Sequence, residues 1–206
     1  NKKISVENED IYDLASITKI LVSLPLIIRE IELKSLTFDS PLSSFFPKIN
    51  LFDKKNIKLK EMLSHFSRLT PWIPFYKETL DSVTNTQLDS YYSNKKTSDF
   101  NIEVREGLYM QLWDDIIFDK IIKSELLESK EYKYSDLPYY LIKKYLEDKY
   151  GKSLDKLIRD YIFSKNGMLS LNFNPYKTID LNRIVPSEID DYFRLGELRG
   201  YVHDMG

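Results

Sequence analysis

The sequence predicts an α+β domain that is mainly helical and has only short strands. Apolar residues recur at helical spacing in most of the chain, whereas apolar-polar alternation is confined to brief runs such as Ile102-Glu103-Val104 and Leu108-Tyr109-Met110. A chain of 206 residues that is 42% hydrophobic and 30% charged can bury one sizeable core, so one domain, or a large piece of one, is the simplest organisation.

Each element follows from local pattern. Residues 1 to 9 are polar and read as a loop or frayed edge strand. The stretch YDLASITKILVSLPLIIREI, Tyr12 to Ile31, organises the rest of the chain. Leu14 and Ala15 end an apolar, strand-like approach, and Ser16 to Ile31 is expected to be the central buried helix, with Ile20, Leu21, Leu24, Ile27, Ile28 and Ile31 as its stripe. Pro25 should kink it or sit where the i−4 carbonyl finds another partner. Ser40 and Pro41 open a short helix that stops before Pro47, a lysine-rich loop comes next, and Leu59, Met62 and Leu63 mark another short helix. Pro71 and Pro74 keep the aromatic segment Trp72 to Tyr76 irregular, as core cover or a pocket wall. A moderately amphipathic helix is expected from Lys77 to about Tyr92, a hairpin about Glu106-Gly107, and a helix from Trp113 to Leu127 with Ile116, Ile117, Ile121 and Ile122 on one side. A helix after Asp136 runs to Tyr150 and is closed by Gly151, and another spans Ser153 to Phe163. Loop and short strand complete the chain, with an acidic turn at Ser187 to Asp191.

Ser16 and Lys19 carry the chemistry that the residues themselves suggest. Three positions apart on a helix they are neighbours, and a lysine with a lowered pKa can take the proton that makes a serine hydroxyl nucleophilic. The bland alternative is Ser16 as a helix N-cap and Lys19 as a solvated side chain. The spacing recurs at Ser93 to Lys96, in a polar run, and at Ser153 to Lys156, where an N-cap is the simpler explanation.

Composition excludes other classes. A formal net charge of −2, with lysines interleaved among acids as at Lys54-Lys55 and Lys143-Lys144, gives no case for nucleic acid and reads as solvated surface. There is no cysteine, and the two histidines, His65 and His203, lie far apart, so neither a metal site nor any other cofactor is expected. The longest apolar run, near residues 20 to 28, is too short to span a bilayer. Without an initial methionine or a terminal helix, both ends read as cut.

Taken together, these segments resemble the serine β-lactamase and penicillin-binding-protein family, in its class C-like branch of esterases and peptidases. The resemblance rests on Ala15 to Lys19 for the family's S-x-x-K, Glu61 to Leu69 for its "LLTHTSGL", and Tyr134-Ser135-Asp136 with Tyr140 to Ile142 and Tyr150 to Ser153 for its "YSN…LLG…TGxS". Asn166-Gly167-Met168 is similar to its "PLGM", and Gly200 to Asp204 to its "GxVHD". It implies that residues 1–206 are part of such a domain, the helical lobe with most of the antiparallel sheet missing. Ser16 would be the acylated nucleophile, Lys19 its general base, and Tyr134 the group that passes the proton to the leaving group. Asp136, where the motif usually has asparagine, would contact Lys19 or the substrate, and a carboxylate there would repel an anionic one. An ester, amide or peptide substrate is implied, as is the alternative of a non-catalytic binding or structural module. The resemblance also points to bacterial proteins of the periplasm or cell envelope, some with the Trp72 to Tyr76 segment behind a glycoside hydrolase domain.

Two departures stand out. Arg68 replaces the glycine after "HxS", which strains the chain if that position needs positive φ. The third motif, K-T-G or H-x-G, is not found, so the 206-residue piece is expected to be inactive, with that motif beyond Gly206. Tyr92-Ser93-Asn94 also matches Y-x-N, but it precedes a polar run instead of a helix, and Tyr134 is preferred.

Overall fold

The computed structural model describes residues 5–168, 170–191 and 193–202; the first four residues of the leading loop and the His203 to Gly206 end of the closing motif lie outside them. Two compact units are present. One holds Ser16–Pro74 and Trp113–Leu171, the other Asn1–Ala15, Phe75–Leu112 and Asn172–Gly206.

The first unit is helical: α1 (Leu24–Glu32), α2 (Leu42–Phe45), α3 (Leu59–Leu63), α4 (Asp114–Lys123), α5 (Leu137–Tyr150) and α6 (Leu154–Ile158). The expected single helix from Ser16 to Ile31 is instead three pieces. A 3₁₀ turn, Ala15–Ile17, leads into a π turn, Lys19–Ser23, and then into α1. The Leu24 N–H reaches back to the Lys19 carbonyl, an i−5 bond. Pro25, which has no N–H to give, falls in the first turn of α1, where the ladder changes from i−5 to i−4 spacing. The π turn also shifts the phase of the buried face. Val22, Ser23, Leu26, Ile27 and Glu30 are buried, while Ile20 is 59% exposed and Ile28 37%, so only Ile27 of the expected stripe lies fully inside. Leu14 and Ala15, expected to end a buried approach, are exposed.

α5 is the spine of this unit, packing on α3, α4, α6 and the π turn through Leu137, Leu141, Ile142 and Leu146. Gly151 ends it at φ +61, a left-handed conformation that costs a glycine nothing. Ile117, Ile121 and Ile122 of α4 are buried as expected, but Ile116 is exposed. The helix opened by Pro41 starts one residue later than expected, at Leu42, and the lysine-rich loop contains 3₁₀ turns at Pro47–Leu51 and Asp53–Asn56. Lys54, expected on the surface, is 1% exposed. Its ammonium is held by Asp53 and by the Ser124 carbonyl, which together offset the loss of its hydration.

Glu30 is fully buried and accepts hydrogen bonds from Lys149 Nζ and the Tyr150 hydroxyl. Tyr150 Oη in turn accepts from Arg29 at 2.8 Å, and the Arg29 guanidinium lies 3.8 Å from the centre of the Tyr161 ring. This clamp joins the C-terminal ends of α1 and α5. Lys19 and Asp136 join the opposite ends, so the two helices run in the same direction.

The second unit carries the strands. β1 (Tyr92–Ser93), β2 (Ile102–Arg105) and β3 (Leu108–Met110) form an antiparallel sheet in the order β1-β3-β2, with the expected hairpin turning at Gly107, φ +69. β4 (Glu188–Asp190) pairs with β5 (Gly196–Leu198). The expected acidic turn is therefore largely strand, and its Glu188 and Asp190 carboxylates hold the buried Arg194 at 2.6 and 2.8 Å. The helix expected over Lys77 to Tyr92 is absent. After a 3₁₀ turn at Phe75–Thr79, Asp81 Oδ1 accepts the N–H groups of Val83 and Thr84, and this side-chain turn displaces a helix already weakened by Val83, Thr84 and Thr86.

Tyr92, half of the rival Y-x-N match, is buried in this unit with its hydroxyl 2.6 Å from Thr79 Oγ1. Burial pushes its phenol up to about 12, against the smaller opposing effect of the Thr79 hydrogen bond. A phenol kept neutral in the folded state stabilises the fold below its unfolded pKa of 10.0 and loses that contribution as pH rises toward 12. Unfolding monitored between pH 9 and 12 should therefore show falling stability above pH 10, and less of a fall in Tyr92→Phe; identical slopes in the two proteins would refute it.

Candidate active site

All four residues singled out in the sequence meet in the helical unit. Ser16 lies in the 3₁₀ turn and Lys19 opens the π turn, while Tyr134 and Asp136 come from the segment that leads into α5. Lys19 Nζ donates to Ser16 Oγ at 2.9 Å, and the Tyr134 hydroxyl donates to the same oxygen at 2.8 Å. Asp136 Oδ1 lies 2.6 Å from Lys19 Nζ. Ser16 and Tyr134 remain open to solvent, Tyr134 at 41%.

Electrostatics make Lys19 a cation here. Burial of the ammonium works against its charge, but hydrogen bonds and charge from Asp136 and Tyr134 outweigh it, and its pKa is raised. The ammonium also lies 5.3 Å from the Tyr134 ring centre and 5.5 Å from that of Tyr139, within cation–π range.

Residues 63–71 brace this arrangement. Ser135 is fully buried and donates its hydroxyl to the Thr70 carbonyl at 2.6 Å; the Asp136 N–H reaches the Pro71 carbonyl at 2.9 Å. His65 packs its ring 4.4 Å from that of Tyr134. His65 and Tyr139 were not among the site residues read from sequence; the signal for His65 was its place in the Glu61 to Leu69 segment. Arg68 does adopt positive φ, +63, and secures it by donating Nε to the Leu127 carbonyl at 2.5 Å while its own carbonyl accepts the Leu127 N–H at 2.8 Å. Of the two other serines with this spacing, Ser153 lies just before α6 and Ser93 in β1. Among the described residues no cluster of three His, Asp or Glu could hold a metal ion, and no helix is long and apolar enough to cross a membrane. A hollow of about 490 Å³ lined by Leu24, Ile28, Arg29 and Tyr161 contains none of the four site residues.

The fold is that of β-lactamases and penicillin-binding proteins, covered in part. A penicillin-binding protein homologue from Pyrococcus abyssi superposes on 93% of the chain with a TM-score of 0.61 and 19% identity, over 40% of its own length. The β-lactamase/D-alanine carboxypeptidase from Yersinia pestis gives 86%, 0.56, 19% and 44%, and the D-amino acid amidase from Ochrobactrum anthropi 96%, 0.51, 19% and 50%. The chain thus spans half or less of the length of these proteins. No curated protein matches it. The family model described as Beta-lactamase matches residues 1–183, and the chain belongs to that family.

Proposed function

We propose that the protein to which this chain belongs is a serine hydrolase that cleaves an ester or amide through an acyl-enzyme on Ser16. The observation that carries the reading is the double contact on Ser16 Oγ, Lys19 on one side and Tyr134 on the other. In the proposed step Oγ attacks the substrate carbonyl as its proton passes to the neutral Lys19 amine; Tyr134 then relays a proton to the departing alcohol or amine, and water releases the acyl group. Asp136 next to Lys19 favours esterase or peptidase activity over hydrolysis of a penicillin, whose carboxylate it would repel. Residues 1–206 are read as part of one domain. Because the related folds are about twice as long, the remaining oxyanion stabilisation, worth about 3 kcal/mol or roughly 10²- to 10³-fold in rate, is assigned to a segment that this chain lacks.

Incubation with a fluorophosphonate, followed by mass spectrometry, tests the nucleophile. A single adduct on Ser16 is expected, absent from Ser16→Ala; labelling that persists in Ser16→Ala would overturn it. On this reading the 206-residue chain turns over a p-nitrophenyl ester barely or not at all, and a chain extended to the next K-T-G or H-x-G does so readily. The second reading is a non-catalytic module, favoured by the ion pair that keeps Lys19 charged. Inactivity of the extended chain, with Tyr134→Phe changing nothing, would select it.

A further inference from the structure

His65 is the one histidine among the described residues, and the mechanism above makes no use of it. It follows α3 in the left-handed conformation, φ +61. The titratable groups that face it are Lys19 from the π turn, Tyr132, Tyr134 and Asp136 from the segment that enters α5, and Tyr139 from the first turn of α5. Its contacts bracket one residue. The His65 carbonyl accepts the Lys133 N–H at 2.9 Å, and its Nδ1 accepts the Ser135 N–H at 3.2 Å, so both neighbours of Tyr134 are tied to the same residue. The imidazole also lies against the Tyr134 ring, tilted by 31°.

A ring nitrogen accepts a hydrogen bond only while it carries no proton. In the imidazolium both nitrogens are donors, and Nδ1–H would confront the Ser135 N–H with no acceptor between them. We propose that neutral His65 is a positioning residue that clamps Tyr134 onto Ser16, and that protonation of His65 opens the clamp. The proposal rests on the assignment of Ser16 and Tyr134 made above. Burial is the largest influence on His65 and, with the Lys19 charge, it outweighs the opposing pulls of the Ser135 peptide and of Asp136, so the His65 pKa lies below its ordinary value and the clamp is closed at neutral pH.

Two measurements on the full chain separate this clamp from the hydrolase assignment. Hydrogen exchange of the Ser135 amide needs no activity: its protection factor should fall by roughly five- to tenfold as His65 becomes protonated, the order expected for one lost hydrogen bond. A factor that stays level through the His65 titration overturns the clamp, even if Ser16 reacts. The second is the pH dependence of Ser16 labelling by the fluorophosphonate. Below the His65 midpoint labelling should fall more steeply with pH than the Lys19 titration alone produces. His65→Asn offers an oxygen to the Ser135 N–H and does not titrate, so it should lose that extra fall and label about tenfold faster than His65→Ala at neutral pH. The extra fall retained in His65→Asn, or equal rates in the two variants, overturns the proposal. A parent chain that is never labelled refutes the hydrolase assignment, and the exchange measurement then decides the clamp alone.

Discussion

Asp136→Asn should raise the rate of Ser16 labelling at pH 7 by at least about tenfold and move the alkaline rise of the pH profile to lower pH. In the parent, burial disfavours the Lys19 charge, but Asp136 at 2.6 Å and the Tyr134 hydroxyl more than offset it, so the amine stays protonated and cannot take the serine proton. The amide of asparagine keeps the shape and removes the countercharge, while burial still works against the ammonium. The Lys19 pKa therefore falls and the free amine appears at lower pH. Well below that pKa, lowering it by about one pH unit makes the reactive form roughly tenfold more abundant. A profile that does not move, or moves upward, would mean that Lys19 is not the base. Lys19→Met in the same background should abolish the gain.

Glu30→Ala is expected to destabilise the helical unit by about 3 kcal/mol, because it removes one partner of a buried charge pair and strands the Tyr150 hydroxyl and Lys149 ammonium that point at it. In urea this corresponds to a midpoint lower by on the order of 1 M. Glu30→Gln should fall between the two, since the amide oxygen still accepts from one donor. A midpoint for Glu30→Ala within about 0.3 M of the parent would show that water replaces the carboxylate without loss. Ser16 labelling should weaken in parallel, since this clamp closes the far end of the two helices that bring Lys19 to Asp136.

Part of the candidate site's geometry was legible because it depends on short-range spacing. Ser16 and Lys19 needed only a helical turn between them, and the turn is present even though its hydrogen-bond type is not the expected one. Gly107 and Gly151 announced their turns through the backbone freedom that only glycine has, and the α5 pattern held to its end. Tyr134 and Asp136 lie more than a hundred residues from Ser16 and came from family resemblance, not spacing. The expectations that failed rested on burial at a distance. The apolar stripe of residues 20–31 was read in α phase, which the π turn changes; Lys54 looked like surface because nothing local shows the Ser124 carbonyl that receives it. The helix expected over Lys77 to Tyr92 gave way to Asp81, whose side chain competes for backbone N–H groups at short range. His65 went unassigned because its role depends on peptide groups about seventy residues away.

The π turn at Lys19–Ser23 amounts to a one-residue insertion in a helix. Its excess residue is most easily identified with Ile20, the side chain of the five most exposed to water. Deleting that residue would let an uninterrupted α ladder form, and each residue of such a ladder turns the chain by about 100°. The core face of α1 could then stay where it is while the residues before it swing by that angle, carrying Ser16 away from Tyr134. The aim of the Ser16 hydroxyl and the packing of the helix behind it would thus be separately adjustable through the length of this one turn.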